Sequence, residues 1–452
     1  MRAKTLVCCL CAVLMLAGVT PAALWAAEEV DSALSLDEAY AQALKHNNQV
    51  RSSREQVRQA EQGLNIATSQ LLPQMNARAE RTRQKTTPIF SRAGDYGLLT
   101  VSASQHLYQG GKYWNQRSAS LYSLQSQQFR HFRRLQSILF TVAAQYYEAL
   151  LAEENIVIAE NQIERAMHQL ELAQNRYEVG LVNKTAVYRA DVQVTRAREQ
   201  LERAKNQRAL ALENLRLEMG VGDLPEKLKG IQPKRLEAIS PEVLRKRGLE
   251  RRRDLQQLAG TRQAAAMSLE AEKGDYWPRF SVEGAYSKTN EEDLYFGETE
   301  DWNISLVATY PLFTGFRDES EVKQARHRKS EIEAEYRRLE RTVSTEIRSV
   351  YLDLKTQEKV IDSLEQEVKS ATANYEQIVA QFNEGLVTAV DVVDAQTALN
   401  EAERRLSLAF YNYQLNLLRL RLATGTFEQE RVSRYLKGVA GSDTLHREGD
   451  AQ

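Results

Sequence analysis

The chain has little cysteine, little proline and no second long apolar run, and each shortage narrows what it can be. Its three cysteines, Cys8, Cys9 and Cys11, all fall at the N-terminus. There Arg2 and Lys4 precede an apolar run from Leu6 to Val19, and small residues follow from Ala22 to Ala27, the order of a secretory signal peptide. We assign residues 1–26 to that leader, with the cut near Ala26 or Ala27. An uncleaved anchor is the other reading, but the run is short for a spanning helix. A mature chain without cysteine has no disulfide framework and no thiol chemistry. Leu10 before Cys11 also argues against a lipid attachment site. Beyond the leader no window reaches the roughly 20 apolar residues of a spanning helix. Only 8 prolines beside 27% charged residues favour long, solvent-laced helices. The 60 basic residues nearly balance 61 acidic ones, and losing Arg2 and Lys4 moves the formal charge from −1 to −3, so nothing suggests nucleic acid. The six histidines, His46, His106, His131, His168, His327 and His446, show no metal-ligand spacing. Neither a Gly-rich phosphate loop nor a nucleophile elbow occurs. The chain reads as a non-enzyme with no metal and no cofactor.

What is present is a long helical pattern that is duplicated. Helical periodicity runs into Gly385 and leaves again from Thr388, with Asp391 three residues on as an acidic N3 residue. The same turn occurs 205 residues earlier at Gly180. That offset also relates Pro73 to Pro278, Gly110 to Gly315, Tyr146 to Tyr351, Leu201 to Leu406 and Gly220 to Gly425. The first repeat covers 27–220, with a helix at 35–70, strands at 74–84 and 98–108, a long helix at 112–179 and a return helix at 183–219. A linker at 221–240 has neither helical nor strand pattern. The second repeat covers 241–425, with a helix at 241–275, strands at 279–288 and 301–313, a long helix at 317–384 and a return helix at 388–424. The polar tail 426–452 is read as disordered.

The arithmetic of these pieces has consequences. A helix of about 65 residues is roughly 100 Å long, and two shorter helices end to end match it. The strands are of about ten residues and alternate polar with apolar, the length and pattern of a transmembrane β-strand. Backbone groups in lipid must all be paired, so such a sheet has to close. Even the smallest bacterial barrels have about eight strands, so four per chain imply a barrel shared between chains. Tyr286, Trp302 and Tyr310 stand near strand ends, where an interfacial girdle belongs. The alternative is a soluble four-stranded cap on a coiled-coil protein.

Several motifs occur together: Ser35-Leu-Asp-Glu-Ala39 followed by Ala43-Leu-Lys-His-Asn-Asn48, Leu72-Pro73 and Trp277-Pro278 before the strands, Leu107-Tyr-Gln-Gly-Gly111 and Leu312-Phe-Thr-Gly-Phe316 after them, and the two Gly-Leu-Val tips. In combination they resemble the TolC family of outer-membrane channels. The resemblance implies a mainly α fold with a small β part. It would be a homotrimer whose 12-stranded β-barrel, in the outer membrane of a Gram-negative bacterium, continues into a 12-helix periplasmic α-barrel. It also implies that the tips, Val179, Gly180 and Leu181 with Glu384, Gly385 and Leu386, contact a periplasmic adaptor (membrane fusion) protein working with an inner-membrane pump of the RND or ABC type. The plainer reading of the tips is two helix-ending glycines capped by leucines, and both can hold. In the family it resembles, acids matching Asp391 and Asp394 line the narrowest ring, the periplasmic aperture. Asp391 alone is equally accounted for as a capping acid. The family's entrance latch is absent, since the matching positions are Val387 and Ala186. The expected function is a passive exit duct for efflux or for type I secretion; the rival is a periplasmic coiled-coil scaffold without a pore.

Overall fold

The computed structural model describes residues 33–84, 94–225, 227–237, 239–291 and 298–449. The leader assigned to 1–26 lies outside them. The first repeat consists of α1 (Leu36–His46), α2 (Asn48–Ser69), β1 (Gln74–Gln84), β2 (Gly94–Gln109), α3 (Lys112–Glu178) and α4 (Lys184–Met219). The second consists of α5 (Pro241–Arg251), α6 (Arg253–Lys273), a single 3₁₀ turn, β3 (Arg279–Glu291), β4 (Glu298–Thr309), α7 (Arg317–Asn383) and α8 (Ala389–Ala423), and α9 (Gln429–Gly449) follows. Long helices α3 and α7 have 67 residues each, about 100 Å at the α-helical rise. Each is flanked by shorter helices laid end to end: α2 and α4 lie along α3, α6 and α8 lie between α3 and α7, and α5 continues α6 along α7.

Two helices expected to be continuous are broken, and the breaks are one repeat apart. The helix expected over 35–70 is interrupted at Asn47, and the one over 241–275 at Arg252. The cause lies in the return helices, whose ends abut these points. Gly220, at φ +71°, lies so close that a Cβ there would be 2.8 Å from the His46 carbonyl oxygen, and one on Gly425 would be 2.8 Å from the Arg251 backbone. The residue at each break then serves the abutting helix. Asn47 Nδ2 donates to the Glu218 carbonyl (2.6 Å) while its Oδ1 accepts from Gln49 N (2.7 Å), and Arg252 Nη1 donates to the Ala423 carbonyl (3.4 Å). Carbonyls at a helix end need such partners when water is shut out.

The tail is also corrected. It is helical from Gln429 to Gly449, and it is anchored by Phe427 and Val432, both fully buried in the main core with Tyr40, Leu139, Tyr146 and Leu215. Phe427 meets the Tyr40 and Phe140 rings edge-on (both 6.2 Å), and Tyr435 and Leu436 pack against the same core. His131, buried nearby with Nδ1 2.8 Å from Ser53 Oγ, has its pKa pushed down to about 4 by burial and by the charge of Arg54. The folded value is the lower one. Neutral His131 therefore contributes stability above its ordinary value of 6.5, and that contribution is lost as pH falls towards 4. Denaturation midpoints should fall over that interval in the native protein and stay flatter in His131→Gln.

The strands form one antiparallel sheet in the order β1-β2-β3-β4. β4 ends at Thr309 rather than 313, because its partner β3 starts at Arg279, just after Pro278, and their last pair is Arg279 with Thr309. β2 and β3 are longer than the strands expected at 98–108 and 279–288. The register sorts the side chains by face. One row across the sheet reads Ala77, Val101, Tyr286, Trp302, and the next reads Met75, Ala103, Gly284, Ile304. Between these rows the opposite face carries Asn76, Ser102, Ala285 and Asn303, and beyond them Arg78, Thr100, Ser287 and Asp301. The apolar face has no cover among the described residues: Trp302, Ile304 and Leu306 are all more than 70% exposed. β1 and β4 are edges without a partner among the described residues.

Candidate functional site

The far end of the helices from the sheet carries two hairpin tips built alike. At the α3–α4 turn Gly180 takes φ +76°, and the α3 end is closed by bonds from Gly180 N to the Tyr177 carbonyl (3.0 Å) and from Leu181 N to the Arg176 carbonyl (2.9 Å). At the α7–α8 turn Gly385 takes φ +79°, and Gly385 N and Leu386 N bond to the Phe382 and Gln381 carbonyls (3.1 and 3.0 Å). These are Schellman-type ends, which need the left-handed residue that only glycine adopts without strain. The leucines do not act as hydrophobic caps within the chain: Leu181 is 71% and Leu386 74% exposed, and Val179 and Glu384 are exposed too. The tips thus present an apolar surface that no other described residue covers.

Arg176, which no sequence argument singled out, holds the tips together. Its guanidinium lies 4.6 Å from the centre of the Phe382 ring and donates to the Asn383 carbonyl. Further up, Arg165 on α3 reaches Asn400 (2.7 Å) and Glu403 (2.9 Å) on α8. Basic residues on a helix full of them carry no mark in the sequence; their partners are more than 200 residues away.

Asp391 and Asp394 both stand exposed in the first two turns of α8, while Val392, Ala395 and Leu399 bury the other side. Their situations differ. One Asp391 carboxylate oxygen accepts from both the Thr388 backbone N–H and its hydroxyl (2.7 Å each), closing the capping box. Those bonds hold its pKa below the ordinary carboxylate value. Asp391 is therefore a structural cap whatever else it does. Asp394 makes no hydrogen bond or ion pair among the described residues. Asn183 caps α4 at the matching place, with its Oδ1 3.2 Å from Ala186 N. Ala186 and Val387 are half-buried and bring no charge.

Three carboxylates, Glu272, Asp275 and Glu321, come together below the sheet. Both Asp275 oxygens are already engaged, by Lys112 Nζ (2.5 Å) and Gln109 Nε2 (2.6 Å), so this cluster is part of the junction between sheet and helices.

Comparison with known proteins agrees with the architecture. The profile of a family described as outer membrane efflux protein matches residues 39–221 and 244–426, two stretches with the same repeat offset. The outer membrane protein TolC of Vibrio cholerae serotype O1 is 28% identical over 430 residues, covering 92% of this chain and 94% of that protein. The alkaline protease secretion protein AprF of Pseudomonas aeruginosa is 23% identical, covering 92% and 90%. The solved Campylobacter jejuni CmeC outer membrane channel superposes with a TM-score of 0.78 at 21% identity, over 89% of this chain and 88% of that one.

Proposed function

Since the chain belongs to the outer membrane efflux protein family, we propose that it is the exit duct of a tripartite efflux or type I secretion system, a passive trimeric channel opened and powered by its partners. The protein is an outer-membrane protein and not an enzyme. One observation carries the finer reading: a four-stranded sheet with an uncovered apolar face and two open edges. An exposed apolar sheet face suits lipid, but open edges do not, because unpaired backbone groups in hydrocarbon cost several kcal/mol each. Three copies pairing β4 with a neighbour's β1 would close twelve strands. The apolar band fits a membrane: from Trp302 to Tyr310 is eight residue steps, about 27 Å along the strand and about 20 Å along the normal at a tilt near 40°. The polar face, with Asn76, Ser102, Glu283 and Asn303, would line a water-filled lumen.

The helices continue that lumen into the periplasm and end at the tips. Exposed Val179, Leu181 and Leu386 are the surface that a helical adaptor would cover, and the adaptor would link the duct to an inner-membrane pump. Asp391 and Asp394 of three chains would form a six-carboxylate aperture, a ring that binds cations. Asp394→Ala should weaken block of the channel by La3+ added from the periplasmic side about tenfold or more, measured in planar bilayers; unchanged block removes Asp394 from the aperture. The same bilayers test the whole reading. A periplasmic scaffold passes no current, whereas the proposed duct gives discrete conductance steps and runs as a trimer in detergent.

A further inference from the structure

The two repeats differ in charge at the aperture, and the difference lies in a residue so far without a role. Arg189 on α4 is the repeat counterpart of Asp394 on α8. The two helices bury the same face: Ala190 matches Ala395, Val194 matches Leu399 and Ala197 matches Ala402, all buried. Arg189 and Asp394 therefore leave their helices at the same level and on the same side. Both are exposed, and neither has an ion-pair partner among the described residues. Arg189 also lines a cleft enclosed by α3, α4, α7 and α8, together with Val393 and Gln396 of α8. The alternation recurs two turns higher. Arg196 on α4 is the counterpart of Glu401 on α8, and both line one groove of about 650 Å³ between the same helices.

We propose that Arg189 is a selectivity residue of the entrance, interleaved with the Asp391 and Asp394 carboxylates so that the ring is of mixed charge. This rests on the aperture reading above. With α4 and α8 alternating around a trimer, three guanidinium groups stand among six carboxylates and halve the formal negative charge. The guanidinium field at a site shared with the carboxylates opposes cation binding and lowers the barrier to anions. The entrance is then a weak cation site that tolerates anionic cargo, not a strong cation trap.

The test uses the full-length mature channel in planar bilayers, with La3+ block from the periplasmic side and the reversal potential in a KCl gradient as readouts. Arg189→Asn should tighten La3+ block about tenfold and raise selectivity for K+ over Cl−, while Arg189→Lys keeps both near the native values. Both side chains are exposed, so assembly should persist, and a trimer in detergent verifies it. If Asp394→Ala weakens block but Arg189→Asn changes it less than about twofold, the aperture stands and the role of Arg189 is overturned. If Asp394→Ala has no effect, the aperture reading fails and this inference falls with it.

Discussion

Replacing Arg252 by alanine should cost about 3–5 kcal/mol of stability, the range found when one member of a buried ion pair is removed. Arg252 is only 5% exposed. Its guanidinium reaches Asp254 through Nε (3.0 Å) and Nη2 (2.6 Å), pairs with Glu346 on α7, and donates to the Ala423 carbonyl (3.4 Å). One side chain thus ties the break between α5 and α6 to a long helix and to the end of α8. Burial pushes the Asp254 carboxyl up, and hydrogen bonds and charge from Arg252 more than reverse this, so its pKa lies below the ordinary value. Without Arg252 the carboxyl is left buried and short of a counter-charge, and it should take up a proton at higher pH. The measurement is a thermal or denaturant midpoint across pH. The variant should lose most near neutrality and less in acid, where Asp254 is protonated in both proteins. A loss below about 1 kcal/mol, typical of exposed pairs, would show that this network is not what holds the joint.

Leu306→Arg should abolish or strongly reduce assembly in the outer membrane, whereas Ser305→Arg, one residue away, should be tolerated. Leu306 lies on the uncovered apolar face in register with Val282, and Ser305 lies on the polar face opposite Glu283. An arginine facing lipid near the midplane of a barrel costs about 2–4 kcal/mol, while one in the lumen costs little. Three copies per channel would multiply the penalty. The quantity to measure is heat-resistant trimer in the outer-membrane fraction. Equal loss in both variants, or none in either, would contradict a lipid-facing sheet.

Much of this architecture is legible along the chain, and the parts that are not share a cause. Helix and strand periodicity depend on neighbours within a turn or two, so the 67-residue helices, the alternating strands and the tip glycines can be read locally. The repeat offset adds long-range information for the same reason: a duplicated sequence carries its own comparison. Asp391 as a capping acid needed only Thr388, three residues before it. Arg176 and Arg165 were invisible, because an arginine on a charged helix is ordinary until its partners, Asn383 and Glu403, are brought beside it.

By itself, then, the order of residues determined that the protein is duplicated, helical, tipped by two glycine turns and furnished with amphipathic strands. Only the tertiary structure decided where helices break, what the tail does and which faces stay bare. Asn47 can cap a helix and Arg252 cannot, yet both helices part at the same repeat position because Gly220 or Gly425, more than 170 residues away, brings a second helix end against each. Phe427 and Val432 order the tail because a core assembled from both repeats has room for them. Local preference is set by a few adjacent residues, whereas a break, a dock or an uncovered face depends on what distant parts of the chain bring to that place.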